Sequence, residues 1–282
     1  MLFRALIALI LAASVWAPAH AGATACGAHY LSGEAPEINN TKMVPKAREL
    51  CFAAFGVMHS GIARTPLWSA EHLTRSRLAE ARRVQRVDAF HPEDRLPAGE
   101  RAELADYARS GFDRGHMAPS ADMPSSGAQQ ESFSLANILP QNPDNNRNLW
   151  EGIEAAVRKM AKERGDLYVI TGPLFVGESV RRLNGRVLVP SNLFKVVYDP
   201  KQGEAAAYVV ANEATSSYST MSVAELEAMA GINFFPRMPL AVKQTKLTLP
   251  APIPHHSGGA RAAKGGEFVA SFPLRALRAM LR

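Results

Sequence analysis

The run Asp113-Arg114-Gly115-His116 sets an acid, a permanent cation, a glycine and an imidazole side by side, between Phe112 and the small-residue loop Ala118-Pro119-Ser120. An imidazole, with an ordinary pKa near 6.5, is the side chain best suited to moving a proton at neutral pH. Arg86 and Arg114 can each brace a phosphate with fixed N–H donors and a charge that does not titrate. Downstream, Asn137, Gln141, Asn145, Asn146 and Asn148 offer neutral oxygens, and Glu154 adds a carboxylate. Such oxygens can hold a hard cation that keeps most of its water. A base for water, positive charge for the phosphorane and help for the departing oxygen are what phosphodiester hydrolysis requires together. A neutral amide ligand suits that task, because it leaves the metal's charge undiminished.

These residues need elements to position them. Trp150, Ile153, Val157 and Met160 recur at helical spacing, and Gly165 can close that helix in the left-handed conformation. If the helix begins near Asn146, Glu154 lies about 12 Å further along its axis and is rotated by about 80°. One ion cannot then be bound directly by both side chains. A contact through water is feasible, because a long helical side chain leans back towards the helix start. The bland alternative for Glu154 is an ion pair with Arg158 one turn on.

Around that helix, residues 51–60 read as a buried strand, followed by a loop carrying residues 64–74. The arginines from Arg75 to Arg86 read for the most part as a solvated face. Residues 91–101 read as a loop, 102–111 as a short helix or turn, and 124–132 as a polar loop. Segments starting at Leu167, Arg186 and Ala205 are rich in β-branched and aromatic residues and predict strands. Ser222 and Glu225 form the capping box of a helix reaching about Ala230. Strands, helix, strands and helix in that order predict an α+β fold with an antiparallel or mixed sheet flanked by helices.

Residues 1–21 carry one charge at Arg4, an apolar run from Ala5 to Trp16 and Ala19-His20-Ala21. That is the pattern of a secretory leader, with an uncleaved anchor as the alternative. The expectation is export to the periplasm or the medium, without stable membrane association. Cys26 and Cys51 are the two cysteines. In an exported chain they predict one disulfide, since a metal or redox thiol pair would want a CxxC or a third cysteine. The net charge of +6 is uneven. Residues 251–282 carry five basic residues and one acid, whereas 22–250 are nearly neutral. The expected organisation is a leader at 1–21, one domain at 22–250 and a basic tail at 251–282.

"DRGHMAPSADM" followed by "NILPQNPDNNRNLWEGIE" closely resembles the DNA/RNA non-specific endonuclease family, whose active site is a ββα-metal motif. The resemblance runs from about Cys51 to Phe235 and includes "RTPLWSAEHL", the R-x-D-x-F pattern at Arg86 to Phe90, "TGPLF" and "PSNLFKVVYD". It implies that His116 is the general base and that Asn146 is the single protein ligand of Mg²⁺, for which Mn²⁺ can substitute. Glu154 would organise the ion's water shell, and Arg86 would stabilise the transition state. Arg114 and Asn137 would line the site, Arg114 on phosphate and Asn137 supporting the histidine or the substrate, while Asp113 is read as mainly structural. The implied substrates are DNA and RNA, cut to 5′-phosphate ends; a homodimer is left open.

Three rival readings exist. A non-catalytic exported nucleic-acid-binding protein on the same scaffold would be expected to have lost one of His116, Asn146, Glu154 and Arg86, and all four are present. A serine hydrolase using Ser120 or Ser134 would want a G-x-S-x-G elbow. A zinc site built from His59, His72, His116 or His255-His256 would want H-x-x-x-H spacing.

Overall fold

The structure is a computed structural model, and it describes residues 24–177, 180–254 and 264–266. The expected leader and most of the expected basic tail lie outside the described residues. Near the start, a disulfide joins Cys26 to Cys51 with their Cα atoms 5.2 Å apart. It ties the segment before β1 (Glu37–Ile38) to β2 (Ala47–Cys51).

β2 turns at Phe52–Phe55, where Phe52 N–H donates to the Phe55 carbonyl (3.0 Å) and the two rings stack. The chain then returns as β3 (Gly56–Ser60). The single strand expected over 51–60 is therefore the second half of a hairpin. β4 (Thr65–Thr74) corrects the expected loop: it is a ten-residue strand between β3 and the strand over Asp166–Leu174. Ser69, Glu71 and His72 hid it, because they interrupt the apolar pattern. Both faces of β4 are covered, and Ser69 and Glu71 are buried there.

Thr74 caps α1 (Arg75–Ala81) by accepting from Arg77 N–H at 3.2 Å. Two arginines of the expected solvated face hold backbone instead. Arg75 donates to the carbonyls of Lys162 and Glu163, and Arg77 to those of His72 and Ala54. α2 (Leu104–Tyr107) precedes β5 (Asp113–His116). The next segment is the helix α3 (Ser126–Ser132), not a polar loop. Ser125 caps it by accepting from Ala128 N–H at 3.2 Å, and its buried Ala128 and Gln129 are too few to show a period in sequence.

β6 (Ile138–Gln141) runs antiparallel to β5, with His116 opposite Ile138 and Asp113 opposite Gln141. Asn142 then caps α4 (Pro143–Asn145), accepting from Asn145 N–H at 3.1 Å. A π turn over Asn146–Trp150 leads without a break into α5 (Glu151–Arg164). Gly165 ends α5 at φ 89°, its N–H bonded to the Ala161 carbonyl. The helix thus begins at Pro143, earlier than the Asn- and Asp-rich sequence suggested.

β7 (Asp166–Leu174) is followed by a small hairpin, β8 (Arg182–Leu183) with β9 (Val187–Leu188). The chain continues into β10 (Asn192–Asp199), β11 (Glu204–Ala211), β12 (Ser217–Met221) and α6 (Val223–Ala230). The strand expected from Arg186 is thus two strands, separated at Pro190, which has no N–H for a ladder. The Ser222–Glu225 capping box is present in both directions. β13 (Ile232–Asn233) pairs with β1, and α7 (Leu240–Gln244) and β14 (Lys264–Gly266) complete the described elements.

The main sheet has the order β14-β12-β11-β10-β7-β4-β3-β2, antiparallel except for β14 beside β12. Trp68, Phe194, Phe234 and Phe235 fill one face, with Val223 and Leu226 of α6 among them. On the other face Trp150, Ile153, Val157 and Met160 of the long helix pack with Leu73, Val169 and Tyr208. The fold is α+β, as its element order predicts. No helix among the described residues is long and apolar enough to cross a membrane.

His59 of β3 is fully buried against the Glu100 carbonyl (Nε2···O 3.0 Å), and burial holds its pKa down to about 4. The folded state therefore keeps it neutral, whereas the unfolded chain binds a proton from about pH 6.5 downward. Stability contributed by the neutral ring is present above pH 6.5 and lost as pH falls towards 4, a difference on the order of 3 kcal/mol. Melting temperatures of the protein and of His59→Gln, compared between pH 7.5 and 4.5, should converge or cross on acidification. A gap that does not change with pH would refute this assignment.

Candidate active site

A cavity of about 700 Å³ opens between the β5–β6 hairpin and the long helix. Four segments supply its working side chains: Arg86 from the coil after α1, Arg114 and His116 from β5, Asn146 and Arg147 from the π turn, and Glu151, Glu154 and Arg158 from α5. The glycine of the tetrapeptide has a steric reason. A Cβ on Gly115 would lie 2.6 Å from the Gln141 Cβ across the hairpin. The close pairing that aims Arg114 and His116 excludes a side chain between them.

His116 packs edge-on against Phe133, with ring centroids 4.8 Å apart, and against Phe90 at 5.4 Å. Its Nε2 is shut away from solvent with no hydrogen-bond partner, so Nδ1 is the nitrogen left to act in the cavity. Burial first, and the Arg86 guanidinium second, push its pKa down to about 3 against an opposing pull from Asp88. The ring is therefore a neutral proton acceptor at any ordinary pH. Arg86 bonds to Asp88 through Nε (2.7 Å) and to the Ser120 hydroxyl through Nη1 (3.1 Å). The Arg114 guanidinium lies 4.2 Å over the Phe90 ring, and its side chain is exposed at the mouth.

Of the five candidate neutral oxygens, Asn146 alone lines the cavity. Asn145 is buried on the Ala211 carbonyl (2.6 Å), Gln141 is buried beside Asn145, and Asn148 donates to the Asp144 carbonyl (2.8 Å). The Asn146 amide donates from Nδ2 to Asp113 Oδ2 at 3.0 Å, which leaves Oδ1 for another partner. Asp113 also accepts a fork from Arg147, at 2.8 and 2.6 Å. Asp113 itself lines the cavity, beside Asn146. The donor set suits a hard, hydrated divalent cation: one free amide oxygen, a nearby carboxylate and room for water. Among the described residues no three His, Cys, Asp or Glu side chains group as a metal site.

Glu154 reaches the same cavity. Burial pushes its pKa up to about 7, opposed by Lys195 and Arg158. The alternative, an ion pair of Glu154 with Arg158, is not formed: Arg158 donates to Asp122 Oδ1 at 3.3 Å and lies 4.0 Å from Glu151. The π turn explains why Asn146 and Glu154 share one cavity. A π turn holds about one residue more than an α turn, which removes on the order of 100° of rotation and cancels the roughly 80° offset of a regular helix.

Asn137 is the predicted residue that the cavity leaves out. It is fully buried behind His116. Its Oδ1 accepts from Ser69 Oγ (2.7 Å) and Ala118 N–H (2.9 Å), and its Nδ2 donates to the carbonyls of Ala118 and Ser132 (2.9 Å each). No polar atom of that side chain remains for a substrate. Sequence reasoning assigned no part in the cavity to Asp88, Arg147, Glu151 and Arg158. A signal existed for the last two, since positions three before and four after Glu154 share its helix face.

Comparison with known proteins identifies the family of the chain. The family model described as DNA/RNA non-specific endonuclease matches residues 35–241. The mitochondrial nuclease EXOG of Danio rerio is 37% identical over 197 residues, 62% of this chain and 57% of that protein. A nuclease of Nostoc sp. is 33% identical over 224 residues, 73% of this chain and 80% of that one. The chain spans little more than half the length of the EXOG relatives it matches. Among solved structures, EndoG in the EndoG/EndoGI complex superposes with a TM-score of 0.61 at 25% identity, covering 70% of this chain and 89% of that one.

Asn137 and His116 should separate in stability measurements. Asn137→Ala leaves four buried polar partners unsatisfied, so it should destabilise by about 3 kcal/mol or more. His116→Ala removes a buried nitrogen that has no partner and should cost less, though some packing is lost. Urea denaturation of both variants checks this, and a stable Asn137→Ala would contradict the hydrogen-bond network.

Proposed function

The chain belongs to the DNA/RNA non-specific endonuclease family, and from that membership we propose that it is an exported, Mg²⁺-dependent endonuclease cutting DNA and RNA with little regard for sequence. The observation that carries the reading is the neutral His116 Nδ1 in one cavity with the free oxygen of Asn146 and the guanidinium groups of Arg86 and Arg114. His116 takes the proton of the attacking water. Arg86 stabilises negative charge growing on the phosphorane, and Arg114 binds phosphate at the mouth. An entering phosphate would offset the positive charge of Arg86 beside the imidazole, which strengthens the base when substrate is present. Asn146 would hold the cation and Glu154 would accept hydrogen bonds from water beside it; Asn137 holds the backbone behind His116. The cation, Mg²⁺ or Mn²⁺ in its place, supplies charge stabilisation at the scissile phosphate when bound.

Cleavage leaves 5′-phosphate ends. Residues 1–21 act as the export leader, 22–250 form the endonuclease domain, and 251–282 add basic charge for a polyanion. The protein works in the periplasm or the medium without stable membrane association, and dimerisation is compatible with the reading.

Incubation of the mature protein with supercoiled plasmid and with total RNA tests this. Mg²⁺ should support degradation of both and EDTA should abolish it, while His116→Ala and Asn146→Ala should each cost about 1000-fold or more. Wild type that shifts DNA on a gel without cutting it would make the scaffold a binder. The pH profile gives a second check. Glu154 stands near 7, and a cation favours its charged form, so proton and cation compete. The acid limb of kcat/KM should move to lower pH as Mg²⁺ rises, and this movement should vanish in Glu154→Gln. A limb fixed at pH 6.5 would assign the titration to His116 and contradict its depressed value.

A further inference from the structure

Arg147 follows Asn146 and is itself exposed (side chain 69%), yet both ends of its fork are engaged on a half-buried acid. Nε meets Asp113 Oδ2 at 2.8 Å, and Nη2 meets Oδ1 at 2.6 Å. Asp113 Oδ2 also accepts from the Asn146 amide at 3.0 Å. The three side chains form a line: a guanidinium occupies both oxygens of a carboxylate, and that carboxylate fixes which way the amide points. Without the guanidinium, an uncompensated carboxylate with a free oxygen would sit next to the amide oxygen proposed to hold the cation.

We infer that Arg147 is a positioning residue that keeps Asp113 off the metal. It neutralises the carboxylate and occupies its lone pairs, so that the cation meets the neutral Asn146 oxygen and Asp113 serves only as acceptor for the amide N–H. A carboxylate that joined the cation would bind it more tightly and dull its charge towards phosphate. The fork therefore exchanges cation affinity for activity. Lysine, a point charge without a planar fork, can do only part of this. The inference rests on the nuclease reading in one respect, that Asn146 is the cation's ligand.

The test measures Mn²⁺ binding by electron paramagnetic resonance on the mature protein without nucleic acid, alongside kcat at saturating metal. Arg147→Ala should bind Mn²⁺ on the order of ten-fold more tightly while its kcat falls. Arg147→Lys should lie between it and wild type. Arg147→Ala combined with Asp113→Asn should return the affinity to the wild-type value, because asparagine still accepts from the Asn146 amide but carries no charge. A residue that merely braces the fold would weaken binding when lost. Unchanged or weaker Mn²⁺ affinity in Arg147→Ala, or failure of the double variant to revert, overturns this inference alone. Wild type that binds no Mn²⁺, or binds it equally well as Asn146→Ala, overturns the cation reading and this inference with it.

Discussion

The side chain of Asn137 joins three parts of the fold that would otherwise meet only by packing. Through Ser69 it grips the interior strand β4, through Ala118 the backbone just past His116, and through Ser132 the end of α3. A buried amide is costly unless all its hydrogen bonds are made. The arrangement is therefore all-or-none, and it transmits the rigidity of an eight-stranded sheet to a four-residue strand that the sheet does not contain. β5 and β6 have only each other as ladder partners. Their register places His116, but a two-stranded ribbon is marginal by itself, and Asn137 fixes it to the core.

The charges around the cavity do not neutralise one another. Arg86 disfavours protonation of His116, while Lys195 and Arg158 only partly offset the burial of Glu154. Beneath them, on the helix-facing side of the sheet, Lys195 is buried on Thr171 Oγ1 (2.6 Å), with its ammonium 5.5 Å from the Trp150 ring centroid. Glu71 is buried as well, and burial pushes its carboxyl strongly up. A sheet face that carried only apolar residues would pack the helix more simply. Polar side chains in β4, β7 and β10 instead place compensating charge below the cavity floor, at the cost of making β4 unreadable as a strand.

That trade explains what the sequence disclosed. β7, β10 and β11 are legible because each includes β-branched or aromatic residues in an apolar run bounded by turn residues, and α6 because Ser222 and Glu225 occupy the two ends of a capping box. The cluster of His116, Asn146, Glu154, Arg86 and Arg114 is legible because its residue types suit one chemistry. β4 is not, since Ser69 and Glu71 serve the region below the site and break the pattern of a buried strand. α3 is too short and polar to show a period. The removal of Asn137 from the cavity could not be foreseen either: an asparagine reads the same in sequence whether it faces a substrate or a backbone.

The π turn is the least legible feature and has the largest geometric effect. Regular α-helix from Pro143 to Arg164 would satisfy the same backbone bonds and bury the same Ile153, Val157 and Met160. It would also leave Asn146 and Glu154 pointing about 80° apart. Widening the helix over Asn146–Trp150 preserves the packing of the later turns and rotates the earlier ones, so that the helix turns Asn146 and Glu154 to one cavity. Trp150 stands at the end of that turn, buried between the helix and the sheet. A large ring held there fixes the phase of α5 against β7 and β10, so the extra residue is accommodated on the cavity side, where Asn146 and Arg147 meet Asp113.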